Sequence, residues 1–488
     1  MHPTTDRNLD GACPVGARVP LPRRRRSGAK AAACSIRGVV RRLVGALLGA
    51  LLAAGPVAAA DAVPGELWCG VPDGDGAARD IVRIAFVGND VTRAAVLERE
   101  LVQRIGTPCA LDDVIDGIQS LTDLGLFRSV RAELALAAAS VPANGARAGL
   151  VLRYIVREKL FFLAVPRISR TSGGELRTGL QLRWDNFAGR LHELRITSER
   201  RREDDGRGRA GDVHSIDYRV PRFLGSDWGA DVELAVDDRS VGLARESTSF
   251  GEARRESYRV ALGIARWLGT SDGVRGWRAQ VGGAFEEREL ALSSGTRGPF
   301  LDGRDASVVF GVARHALHHE RYRRVGHELK ASFRLANAWL GSDFSYHRFD
   351  VRYAHYLPLS GGIRNLNVQA RLGVSDGAPF GTEAYSIGGG ELLRGVAPGR
   401  DVGDVLTLVN VELLDAFFTR PQWRRVAFID IGNVHPKERV RPLAQNVRIG
   451  IGLRYKLEAL TRTDLRVDVA WDTDRGRAAT YLATSVTF

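Results

Sequence analysis

Three scarcities bound what this chain is. A membrane-spanning helix needs roughly 20 consecutive apolar residues, whereas the apolar stretch Leu43 to Ala54 has only twelve before Gly55-Pro56. Cysteine occurs four times, never as C-x-x-C and never at zinc-ligand spacing. Neither H-E-x-x-H nor a P-loop is present, so metalloprotease and nucleotide-driven chemistry lack their usual signatures. No enzyme activity, cofactor or metal is expected. His315, His318 and His319 form the one histidine cluster, at a position that suits a strand end or loop.

Charge is uneven along the 488 residues. Formal net charge is +13, and residues 1 to 62 hold ten Lys and Arg against three Asp, which leaves +6 for the remainder. A nucleic-acid binder clusters its basic excess in the folded part, so nucleic acid is not an expected partner. Arg37, Arg41 and Arg42, then Leu43 to Ala54, then Ala58 to Ala60 read as a signal peptide cleaved near Ala60. Because Met1 is the only methionine, a true start near residues 37–40 is expected. Cys13 and Cys34 would leave with the signal region. Cys69 and Cys109 remain, either paired in an oxidising compartment or as two unrelated thiols; a disulfide is the expectation.

What the chain has in abundance is alternation. Leu465, Val467, Val469 and Trp471 interleave with Asp464, Arg466, Asp468 and Asp472, and Val447 to Leu457 repeats the pattern. Successive strand side chains point to opposite faces. One face here is continuously apolar and the other too charged for a protein core. Lipid outside and water inside explains both, which is the signature of a transmembrane β-barrel. Sixteen candidate strands follow one another from near Phe161 to Phe488, an even number as single-chain outer-membrane barrels require. Arg259, Arg334, Arg371, Arg454 and Arg466 are then expected to face the lumen, since a lipid-facing Arg costs roughly 2–4 kcal/mol at the midplane. A soluble β-solenoid or sandwich is the competing fold.

Ahead of the barrel, Ile81 to Val87 reads as a strand closed by Gly88-Asn89-Asp90. A helix is expected from Thr92 as N-cap, with Val96, Leu97, Leu101 and Ile105 on one stripe. A second helix follows over Leu111 to Leu124 with Gly125 as its C-cap, then strands Val130 to Leu136 and Leu150 to Val156. The residues Ile84, Phe86, Gly88 and Asn89, then Leu97, Glu100 and Leu101, then Leu121, Leu124, Gly125, Leu126, Phe127 and Val130, closing on Val156-Arg157-Glu158-Lys159, resemble a POTRA domain. The resemblance implies a periplasmic module that offers a sheet edge to client or partner strands.

The longest glycine-rich insertion is Ile387-Gly388-Gly389-Gly390-Glu391-Leu392-Leu393-Arg394-Gly395-Val396. It resembles the G-G-x-x-x-x-R-G loop of the outer-membrane assembly-factor superfamily, the bacterial surface antigen family of BamA, TamA and two-partner secretion transporters. The resemblance implies a loop tucked into the lumen, with Arg394 paired to Glu412 and to Asp430 in the F-x-D-x-G string Phe428 to Gly432. A guanidinium there needs carboxylates to offset its desolvation. Val396 stands where the family usually has an aromatic, so weaker packing of the loop tip is expected. The terminal Phe488 resembles an outer-membrane sorting signal.

The reading is a membrane all-β protein, a 16-stranded antiparallel transmembrane β-barrel with one small α+β POTRA domain. Residues 1–60 are the signal region, 61–80 a linker, 81–159 the POTRA domain and 160–488 the barrel. The expected location is the bacterial outer membrane, with the POTRA domain in the periplasm. The expected partners are outer-membrane lipid, unfolded or partly folded clients at the POTRA edge and barrel seam, and periplasmic proteins. Strand templating at a lateral seam is the expected mechanism; an exporter or passive pore is the rival.

Overall fold

The computed structural model describes Cys69 and residues 79–485, apart from 138–148 and short loop segments. The signal region, Cys13, Cys34 and Phe488 lie outside the described residues.

Residues 79–159 form a small α+β module. Strand β1 (Ile81–Val87) leads to helices α1 (Ala94–Glu98) and α2 (Leu111–Asp123), then to β2 (Phe127–Leu136) and β3 (Leu150–Glu158). The sheet order is β1-β3-β2, with β1 parallel and β2 antiparallel to the central β3. Alternation on β3 buries Leu150, Leu152, Tyr154 and Val156 against Val114, Leu121 and Leu124. Gly117 lets Tyr154 lie against α2, since a Cβ there would stand 2.3 Å from its hydroxyl oxygen. Gly125, at φ +73°, takes the left-handed conformation that ends α2. Cys69 is joined to Cys109 by a disulfide, with Cα atoms 5.4 Å apart.

The first helix departs from expectation. It covers five residues, its N-cap is Arg93, and Ile105 is exposed. Thr92 serves another purpose: its amide and hydroxyl both donate to Glu158 Oε1, at 2.8 and 2.5 Å, and its hydroxyl accepts from Asn186 of the barrel. A fixed tertiary partner outcompetes the local cap.

The rest is one sixteen-stranded antiparallel sheet. Its first half is β4 (Phe162–Arg170), β5 (Glu175–Phe187), β6 (His192–Glu203), β7 (Ala210–Val220), β8 (Trp228–Arg245), β9 (Thr248–Leu268), β10 (Gly276–Gly295) and β11 (Gly303–His319). Then come β12 (Arg324–Ala336), β13 (Tyr346–Pro358) and β14 (Asn365–Asp376). A minor hairpin, β15 (Tyr385–Ile387) and β16 (Asp401–Gly403), interrupts the order. The sheet resumes with β17 (Val405–Phe417), β18 (Arg420–His435), β19 (Val447–Lys456), β20 (Asp464–Asp472) and β21 (Arg477–Ser485). Each strand pairs with its sequence neighbour, and β14 pairs with β17 across the insertion.

Burial is inverted relative to a water-soluble protein. On β20, Leu465, Val467, Val469 and Trp471 are 39–48% exposed, whereas Arg466, Asp468 and Asp472 are 0–4% exposed. Tyr258, Leu262 and Ile264 on β9 and Phe310 on β11 are likewise exposed. An apolar rim around a charged interior needs lipid as its outer solvent, which removes the solenoid and sandwich alternatives. The five named arginines follow the inward alternation: Arg259 lies near Glu233 and Glu286, Arg371 donates to Asp350, and Arg334 to Ser307. Strands β21 and β4 come alongside each other, yet among the described residues no ladder joins them.

Candidate functional site: the lumen loop and its ion cluster

The β14–β17 insertion folds into the lumen because its glycines permit a tight return. Gly388, Gly389 and Gly395 have φ of +129°, +89° and +86°, which side-chain-bearing residues rarely adopt. The Gly389 amide donates to the Val396 carbonyl at 2.8 Å, pinching the loop. Leu393 and Val396 are buried with Ile387, Leu406, Leu408 and Val434. The tip is therefore packed through aliphatic contacts, with Val396 itself 1% exposed. Gly432 makes the room: a Cβ there would lie 2.6 Å from Ile387 Cδ1.

Arg394, 2% exposed, reaches three walls. Its Nε and Nη2 donate to Asp430 Oδ2 and Oδ1, both at 2.6 Å, a fork-to-fork geometry. Nη1 donates to Glu412 Oε1 at 2.6 Å and to Asp468 Oδ2 at 3.3 Å. Its guanidinium lies 3.4 Å over the Phe428 ring, a cation–π contact. The F-x-D-x-G string thus supplies a stacking face, a bidentate acceptor and a clearance, from alternate residues on one face of β18.

Asp468, Asn410 and Tyr481 join the site without having been singled out from sequence, and Arg454, expected only to face the lumen, proves to be part of it. Asp468, fully buried, accepts from Arg454 at 2.5 Å and from Arg466 at 2.5 Å. Asn410 donates to the Leu392 carbonyl and to Asp430. The Gly395 amide donates to the Tyr481 hydroxyl at 2.8 Å, tying the loop to the last strand. Asp468 was discoverable, since it stands on the charged side of the β20 alternation; nothing local marks Tyr481.

His315, His318 and His319 each face a carboxylate. His315 Nδ1 lies 2.7 Å from Glu328, and Asp123 at the end of α2 accepts from the His319 amide at 2.6 Å and lies 3.2 Å from His318 Nδ1. Arg275 donates to Ser120 at 2.8 Å. The Asp123 and Ser120 contacts fasten the small module to the end of β11 and to the β9–β10 connection, whereas His315 and Glu328 pair within the barrel wall.

A lipid-clad β-barrel with an arginine loop clamped to its last strands defines a class of outer-membrane proteins concerned with protein assembly or translocation. Residues 186–479 match the Omp85 superfamily domain, and the chain belongs to that superfamily. In fold it is similar to BamA from Haemophilus ducreyi lacking POTRA domains 1–3 (TM-score 0.52, 16% identity, 84% of this chain and 85% of that one). It is also similar to CdiB from Acinetobacter baumannii (TM-score 0.58, 15% identity, 83% and 74%) and CdiB from Escherichia coli (0.60, 15%, 83% and 76%). No curated protein matches the chain.

Proposed function

We propose that this chain inserts client proteins into the outer membrane, or passes them across it, by pairing client strands at the seam between β4 and β21. The observation that carries the reading is the seam itself. The two strands lie alongside each other, no ladder joins them among the described residues, and the lumen loop holds β21 through Tyr481. An unsatisfied strand edge templates another strand. In a bilayer that edge costs several kcal/mol for each unmet backbone group, so it favours a partner strongly. The work comes from β-pairing and local bilayer thinning, without nucleotide or cofactor.

The small module is a periplasmic POTRA domain in this reading. Among the described residues β2 pairs on one side only, with β3, so its other edge is open to an extended client. The test is a cysteine pair that locks β4 to β21. Clients should stop appearing in the outer membrane when the lock is oxidised and resume on reduction; a fully active locked form overturns lateral opening. An exporter or passive pore is the second reading, favoured by a lumen rich in arginine. A large, stable single-channel conductance in the purified protein supports that alternative, and small flickering currents support the seam.

A further inference from the structure

We propose that the floor of the barrel, beneath the lumen loop, is a binding site for a carboxylate carried by a client polypeptide. This rests on the client-handling reading and names the client's chemistry. A cavity of about 160 Å³ lies between the small module and the barrel mouth. Arg424 of β18 lines it and is 7% exposed. Its bonds go to neutral oxygens only: the carbonyls of Tyr322 and Ile363, at 2.8 and 2.9 Å, and the Asn365 amide oxygen at 3.0 Å. Among the described residues its Nε has no acceptor, and none of its hydrogen bonds goes to a carboxylate.

A guanidinium taken out of water with neutral acceptors alone keeps most of its desolvation cost. Its neighbours relieve it only in part. Of the carboxylates lining the cavity, Glu320 is engaged by Arg323, Glu412 by Arg394 and Arg454, and Glu458 by Arg321 and Tyr322, while Asp464 stands nearby and makes no ion pair with Arg424 among the described residues. Lys456 and Arg128 add positive charge to the same walls. An incoming anion is the missing partner.

The geometry points to an anion on a polypeptide. Phe127 and Arg128, which line the cavity, are the first two residues of β2, the strand with an open edge. A client strand added along that edge ends at the cavity. Phe127, Tyr356 and Leu414 on the walls suit the aliphatic stem of an Asp or Glu side chain.

The test uses the full-length protein in detergent micelles and two fluorescent extended peptides of alternating Thr and Val, one carrying a single Glu and the other Gln in its place. Anisotropy should show the Glu peptide binding about tenfold tighter, the gain of one charge-assisted hydrogen bond. Arg424→Gln should erase that difference while leaving the Gln peptide's affinity unchanged, and Lys456→Gln, at a less buried position, should reduce it. Equal binding of the two peptides overturns the carboxylate site but leaves strand addition standing. If neither binds, both readings fall. Displacement of the Glu peptide by inorganic phosphate, but not by acetate, would assign the site to phosphate and overturn the proposal.

Discussion

At the scale of single residues, the ion cluster is a closed set of charges. Arg394, Arg454 and Arg466 meet Glu412, Asp430 and Asp468, all six buried. Such a set is neutral as a whole, so breaking it costs more than making it gained. Arg394→Ala strands carboxylates and is expected to cost about 3–5 kcal/mol. Arg394→Lys should recover little, because an ammonium cannot make the two parallel bonds to Asp430. The double variant Arg394→Leu/Asp430→Leu should lose less than the two single losses added together. Urea midpoints for loss of the heat-modifiable band check this; simple additivity would refute the pairing as a coupled unit. Gly452 tests the same cluster by size. A Cβ there would stand 2.0 Å from Asp468 Oδ1 and 2.7 Å from the Val467 carbonyl, so Gly452→Ala should destabilise by about 1–3 kcal/mol through overpacking.

At the scale of elements, the β11–β12 turn does more than connect. Tyr322 donates to Glu458 at 2.5 Å and Arg321 donates to it at 3.0 Å, so the turn crosses the mouth to the β19–β20 turn. Burial by itself would raise Glu458, but the Tyr322 hydroxyl and Arg321 prevail and hold its carboxyl below the usual carboxylate range. A depressed carboxylate contributes its contact above the unfolded value and loses it as pH falls through the folded one. The latch is therefore complete at neutral pH and opens only as pH falls below the ordinary carboxylate range. Conductance in planar bilayers should rise on that acidification, and Glu458→Gln should reproduce the rise at pH 7; an unchanged variant would sink the latch. This contact was not legible in the sequence, although all sixteen strands were. Period-two alternation marks a strand wherever one face meets lipid, as on β20. Contacts such as Tyr322 to Glu458, Thr92 to Glu158 and Gly395 to Tyr481 depend on which residues the closed sheet brings together, and no local pattern encodes that. Arg394 with Glu412 and Asp430 was legible through the resemblance of the loop and of the F-x-D-x-G string, and the need of a buried guanidinium for carboxylates supports that pairing.

At the scale of the whole molecule, the wall is uneven in height. Strands β8 to β11 have 18, 21, 20 and 17 residues, against nine each for β4, β20 and β21. A tilted span needs about 9–11 residues. The surplus of about ten on β9, at ~3.3 Å each and tilted by ~45°, carries that side on the order of 20 Å past the hydrocarbon. The outer face changes character where the surplus begins. Leu262, Ile264 and Tyr258 are bare apolar side chains on the outward side of β9, whereas Arg254 on that same side donates to Asp238 at 2.8 Å and pairs with Glu256. Arg304 and Glu287 form a matching outward pair at 3.1 Å. Charged pairs on the outer as well as the inner face require water on both sides, so this part of the sheet stands clear of lipid. A cysteine at Glu256 should react with a membrane-impermeant maleimide in proteoliposomes, and a cysteine at Leu262 should not until detergent is added. Equal protection of both positions would mean that the long strands lie tilted within the bilayer, and the charged pairs would then need a partner to shield them.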